Sequence, residues 1–185
     1  NGRGQPVLRG TALAGALRHG WRRHLRQMGR AKGDVEADVE CYFGYEAESD
    51  DPGTESSLQI ADCVLDTGRS PIVMRTHHLR NRHTGAVADG GLFSLEACPP
   101  GTKTTAALWL RDNAEDPDAA VAMLRELARL LHGGITLGGK AARGIGAVQL
   151  DAPPIYVHYH LAGVDGYARW LDDHRAWRQD PANLP

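Results

Sequence analysis

Apolar residues recur at helical spacing in two stretches of this chain and fall into short runs between them. In LAGALRHGWRRHLRQM, Leu13, Leu17, Trp21, Leu25 and Met28 share one helical face and predict a core stripe. Gly10 and Thr11 precede that stretch, with Thr11 as the predicted N-cap and Gly29 and Gly33 as places to stop. Arg18, Arg22, Arg26 and Arg30 recur every four residues and predict a basic stripe beside the apolar one. EDPDAAVAMLRELARLLHGG predicts a second helix, with Asp116 at the N-cap, Pro117 at the first helical position and Gly133 as the stop. Val121, Leu124, Ala128 and Leu131 are its predicted core positions.

Asp34 to Glu55 contains CYFG and ESDDPGTESS and reads as a loop with little regular structure. Ser57–Asp66, Leu92–Ala97 and Thr104–Asp112 read as strands, and Pro71–Thr76 as a short extended piece. His77 to Gly91 is basic, polar and glycine-ended, which predicts a projecting loop or hairpin. Ile135–Leu137 and Ile145–Leu150 flank a loop at Lys140–Arg143 as extended segments. PIYVHYHL then reads as a strand and VDGYARWLDDHRAWRQ as a final amphipathic helix. The order is helix, strand, inserted hairpin region, strand, helix, strand. It predicts an α+β fold of ferredoxin-like βαββαβ type, with the first strand of that fold absent from the chain.

Charge changes this picture. The net charge of −2 averages three blocks. Residues 1–33 carry eight Lys/Arg and no acid, residues 34–66 eleven Asp/Glu and no Lys/Arg, and residues 67–88 four Arg and three His without an acid. Such blocks form separate electrostatic surfaces or neutralise one another in the fold. The absence of acids four residues along from the arginine stripe tilts it towards a polyanion. Arginine outnumbers lysine eighteen to three, which suits planar contacts to phosphate or carboxylate.

With 42% hydrophobic and 24% charged residues over 185 positions, the chain is expected to hold a real core. No apolar run of membrane-spanning length occurs, and no secretory signal opens the chain. Three scattered cysteines, Cys41, Cys63 and Cys98, disfavour a disulfide framework; they are expected to be buried or inert in a reducing cytoplasm. An opening at Asn1 rather than Met predicts a piece of a longer protein.

Two candidate chemistries remain. The glycine-rich stretch GGITLGGKAARGIGAVQL is either a structural hairpin or a place where backbone approaches an anion, with Lys140 and Arg143 adding charge. His158 and His160 sit two apart on one strand face and would need His77 and His78 to complete a metal site. No carboxylate or cysteine lies at a diagnostic spacing, so no metal site and no cofactor are predicted. Trp21 and Trp109 read as core residues.

Three motifs in order carry a family resemblance. LRGTALAGALR (Leu8–Arg18) resembles the "PGSSLKGALR" signature of the RAMP superfamily, the backbone subunits of type III CRISPR interference complexes. NRHTGAVADGGLFSLEACPPGT (Asn81–Thr102) resembles that family's "DRxTGxA…LF…E…P.GT" segment. GGITLGGKAARGIGAVQL resembles its closing "G…LGG..SRGYG.V" loop, and CYFG its "FG" after the first helix. The lysine of "SSLKG" is Ala14 here, its proline is Arg9, and the aspartate of "DRxTG" is Asn81.

The resemblance implies an RRM-like domain over 1–150 with an inserted β-hairpin thumb near 67–92, followed by a strand-and-helix appendage at 151–185. It implies binding of guide and target RNA, other subunits of a CRISPR effector and self-assembly. The implied RNA contacts are Gly10 and Thr11 at the helix start, Arg18 and Arg22, the thumb's Arg75, Arg80 and Arg82, and Gly138, Gly139, Lys140, Arg143 and Gly144 of the loop. With Ala14 in place of the lysine, Arg9 or Arg18 would supply the charge. Members that cut target RNA use an aspartate between the first strand and first helix, which would lie upstream of Asn1, so no catalytic residue is predicted within the chain. The competing expectations are a metal-dependent or histidine-based RNA-processing nuclease and a structural oligomerising subunit without RNA contact.

Overall fold

The computed structural model describes residues 4–46, 50–111, 117–138 and 144–157, together with 168, 169, 172 and 175. The chain forms two compact units. One comprises Val7–Cys63 and Thr105–Pro185, the other Asn1–Pro6 and Val64–Thr104.

The first unit holds the helices. Helix α1 spans Gly10–Gln27 and buries Leu13, Leu17, Trp21 and Leu25, as the apolar spacing predicts. Met28 is 66% exposed, because the helix ends at Gln27 and the stripe ends with it. The start differs from expectation. Arg9, not Thr11, is the N-cap, and its side chain makes no capping bond. The cap is long-range: the Gly10 N–H donates to Asp62 Oδ1 at 2.8 Å, which leaves Thr11 inside the first turn.

A second correction concerns the acidic stretch. Lys32–Phe43 is a helix, α2, rather than loop. Val35, Val39 and Phe43 recur every four residues and are buried, which is enough to seat the helix although its other positions are rich in acid. Helix α3 spans Pro117–His132, with Pro117 opening it. Its buried residues are Met123 and Leu127, flanked by partly buried Leu124, Leu130 and Leu131. Val121 is 40% exposed, so the seated face is rotated from the predicted one. These side chains join Leu58 and Ile135 in one core; each fully buried leucine contributes roughly 1.5–3 kcal/mol.

The strands form two-stranded sheets. Strand β1 is Val7–Leu8. The predicted strand Ser57–Asp66 is broken into β2 (Leu58–Ile60) and β3 (Cys63–Val64), with Asp62 between them turned to the start of α1. Strand β2 pairs antiparallel with β6, Leu108–Leu110, in the register Leu58 to Leu110. Strands β7 (Ile135–Thr136) and β8 (Ala147–Val148) form another antiparallel pair across the glycine-rich stretch.

In the second unit, β4 (Val73–Arg80) and β5 (Val87–Ala97) form a two-stranded ribbon. Its register runs from Val73 opposite Ala97 to His78 opposite Leu92, with an irregularity before Arg80 meets Val87. Strand β4 is longer than the predicted Pro71–Thr76, because His77 to Arg80 continue the ladder. Below the ribbon, Asp66 and Lys103 bridge through both backbone hydrogen bonds, and Thr104 Oγ1 donates to the Val64 carbonyl at 2.7 Å.

Of PIYVHYHL, the described residues 154–157 are not strand, and Ile155 and Tyr156 are exposed. The remainder lies outside the described residues, as does most of the predicted last helix, where Ala168, Arg169, Asp172 and Arg175 are helical. Only Cys63 is a buried cysteine; its thiol is pushed up by burial and then by the charge of Asp62. Cys41 and Cys98 are exposed. No described helix is long and apolar enough to cross a membrane.

Candidate nucleic-acid interface

The arginine stripe on α1 is real but largely neutralised. Arg22 Nε donates to both Glu36 oxygens at 3.1 and 2.9 Å, and its Nη2 lies 2.8 Å from Oε2. Arg26 Nη2 donates to Glu36 Oε1 at 2.9 Å, and Arg30 pairs with Asp38. The acids come from α2, a helix where the sequence pattern predicts a loop. The Arg22 hydrogen bond, with help from its charge and from Arg26, holds the Glu36 carboxyl below the usual carboxylate range. Half-buried Arg18 makes no ion pair among the described residues.

The start of α1 is also engaged. Besides the Gly10 N–H, Asp62 takes Arg9 Nη1 at 2.7 Å, and these two contacts lower its pKa, the backbone bond first. Gly10 must be glycine for a separate reason. A Cβ there would lie 2.0 Å from the Ile60 carbonyl oxygen, so the helix start packs directly on backbone. A phosphate approaching Gly10 and exposed Thr11 therefore meets a carboxylate already in place.

Lys140, Arg143 and Gly139 lie outside the described residues. Gly138 and Gly144, at φ +78° and +70°, have open space where a side chain would stand. Gly146 differs. At φ +87° its Cβ would lie 2.1 Å from the Leu137 carbonyl oxygen, and its own carbonyl accepts the Leu137 N–H at 2.8 Å. At least this glycine closes a hairpin.

The ribbon displays its cations differently. Its tip is braced from within. Asn81 Oδ1 accepts the His83 and Thr84 N–H groups at 2.8 and 3.3 Å, and the Asn81 carbonyl accepts Gly85 N–H at 2.9 Å. Asparagine serves here because the acceptor is a side-chain oxygen. Arg80 Nε donates to the Gly85 carbonyl at 2.6 Å, so Arg80 helps hold the turn. Arg75 and Arg82 are exposed and make no ion pair among the described residues. On the strands, His77 and Phe93 are direct partners with stacked rings, centroids 5.6 Å apart. Sequence reasoning had not singled out Phe93, Glu36 or Asp62; only the pairing of distant segments gives them partners.

The family model described as the RAMP superfamily matches residues 1–149. The chain belongs to the RAMP superfamily. The RAMP match takes in α1, the ribbon and the glycine-rich stretch, and leaves the last residues outside it. A solved structure described as "CRISPR RNA-guided surveillance complex" is similar at 14% identity, with a TM-score of 0.45, covering 97% of this RAMP chain and 72% of that one. No curated protein matches. Among the described residues of this RAMP chain, no group of three or more His, Cys, Asp or Glu is placed to hold a metal ion; His158 and His160 lie outside them.

Proposed function

We propose that the chain is a guide-RNA-binding backbone subunit of a type III-like CRISPR interference ribonucleoprotein acting in antiviral defence. The observation that carries this reading is the β4–β5 ribbon. In a chain of the RAMP superfamily, it presents Arg75 and Arg82 without ion pairs among the described residues. Guanidinium groups displayed this way suit phosphate contacts, which position an RNA without reading its sequence. In this reading residues 1–150 are a ferredoxin-like domain, the ribbon is the thumb that segments the guide–target duplex, and further copies and other subunits assemble along the RNA. Gly138, Lys140, Arg143 and Gly144 complete the contact surface in the glycine-rich loop.

The test is the nucleic-acid content of the purified protein, followed by its affinity for single-stranded RNA at two salt concentrations. Co-purifying RNA with a steep salt dependence supports the reading. Protein free of RNA, with no affinity for it at low salt, overturns the reading for the isolated subunit.

A further inference from the structure

A groove of about 440 Å³ lies between α1 and α3. Trp21, Leu25 and Met28 give it apolar walls, and His24, Glu126 and Arg129 give it charge. Met28 is 66% exposed, so the apolar wall is open to solvent at that end. Trp21 is only 6% exposed, yet its Nε1–H has no acceptor among the described residues. A buried donor left unpaired is costly, and this one lines a groove. The neighbouring charges are already engaged. His24 stacks on Trp21 with ring centroids 5.7 Å apart, its Nε2 lies 3.8 Å from Glu126 Oε2, and Arg129 pairs with the same carboxylate. What the groove lacks is an apolar occupant that brings an acceptor for the indole.

The chain beyond residue 149, which the family model leaves out, supplies that chemistry. Ala168, Arg169, Asp172 and Arg175 are helical and exposed, and their spacing puts them on one helical face, where Arg175 Nη1 lies 3.8 Å from Asp172 Oδ1. The sequence spaces Trp170, Asp173 and Trp177 at i, i+3 and i+7, which on a helix is a different face: two indoles flanking one carboxylate. The segment also starts in the right place. The Leu150 N–H donates to the Leu131 carbonyl at 2.9 Å, and Leu131 lies about 7.5 Å along α3 from Glu126. The eighteen residues from Leu150 to Ala168 reach up to about 60 Å, many times what is needed.

We propose that the α1–α3 groove is the docking site of the chain's own C-terminal segment. Trp170 and Trp177 fill the apolar walls, and the Asp173 carboxylate accepts the Trp21 N–H. The mode is an amphipathic helix laid into a groove, helped by the high effective concentration of a tethered segment. This inference goes beyond the RNA-binding reading and does not depend on it.

The experiment uses the full chain with Cys41→Ser and Cys98→Ser, which removes the exposed thiols. His174→Cys is combined either with Met28→Cys, at the groove, or with Thr11→Cys, an exposed position about 25 Å away along α1. Each protein is treated with a short bismaleimide and its products are sized and mapped by mass spectrometry. The expected result is a link between positions 28 and 174 within one monomer, with little at position 11, and a yield that falls roughly tenfold on adding Trp177→Ala. Trp21→Phe and Asp173→Ala should each lower that yield, and the double variant should lower it no further than the stronger single one. Absence of the link, or equal linking at positions 11 and 28, overturns the docking site. Links only between two monomers assign the groove to the segment of a second copy and overturn docking within one chain. Independent, additive losses from Trp21→Phe and Asp173→Ala overturn the indole–carboxylate pairing.

Discussion

The arginines of α1 and those of the ribbon look alike in the sequence, yet they have different surroundings. On α1, Arg22 and Arg26 share Glu36, and Arg30 has Asp38. On the ribbon, Arg75 and Arg82 have no carboxylate within ion-pair distance among the described residues, and Arg80 is held by a carbonyl of its own turn. The first set fastens one helix to another, while the second is displayed. A basic block in a sequence therefore does not measure basic surface. What counts is whether the acid that follows it folds back onto it.

The largest expected effect separates scaffold from display. Leu17→Ala, at a fully buried position of α1, should cost about 2–5 kcal/mol of unfolding free energy in denaturant melts. Leu92→Ala, at a ribbon position 70% exposed, should change stability by less than about 0.5 kcal/mol. Comparable losses at both sites would erase the distinction. Next comes Gly10→Ala. A methyl 2.0 Å from the Ile60 carbonyl forces the helix start off its backbone seat, and about 1–3 kcal/mol of destabilisation is expected in thermal unfolding.

Binding should divide along the same line. Arg82→Ala is expected to lower RNA affinity and reduce the salt slope by about 0.7, with melting unchanged, whereas Arg22→Ala should leave RNA binding as it was. Glu36→Gln sharpens the comparison by freeing Arg22 and Arg26. The expected result is a modestly less stable protein with higher low-salt RNA affinity, read by melting and by anisotropy; unchanged affinity would show that the freed guanidiniums do not reach the strand.

The smallest effect is a pH dependence. The folded-state pKa of Asp62 lies below its ordinary value, so its contribution is complete above that value and is lost as pH falls through the depressed one. Asp62→Asn should therefore lower the melting temperature near neutral pH and flatten its fall as the pH drops below the ordinary carboxylate range, about pH 4. A variant that melts in parallel with wild type across that range would show that the carboxylate is not what ties Gly10 and Arg9.

Local pattern carried much of the fold. The helices α1 and α3 and the hairpin at 77–91 follow from spacing and turn residues, because those signals act within a few positions, whereas the strands follow only in part: Ser57–Asp66 is broken at Asp62 and residues 154–157 are not strand. Helix α2 was not legible by the same means. Three apolar residues four apart seat it, and the acids between them resemble a loop until α1's arginines stand opposite. The cap on α1 was missed for a related reason: a separation of 52 residues lies between Gly10 and Asp62, and no window of sequence spans it. The ribbon's arginines and the motif order of the RAMP superfamily could be read directly. The pairing of His77 with Phe93 required the register, which a shift by one residue would have broken.

The closure beneath the ribbon has an evolutionary consequence. Asp66 and Lys103 exchange two backbone hydrogen bonds, of 2.7 and 2.9 Å, so the segment leaves and returns at almost the same point. An excursion anchored in that way can grow, shrink or be exchanged with little cost to what lies on either side, since lengthening a closed loop costs only the logarithm of its length. The reach of this protein is thus free to diverge faster than its core, and related chains are expected to differ most in how far the strands between Asp66 and Lys103 extend.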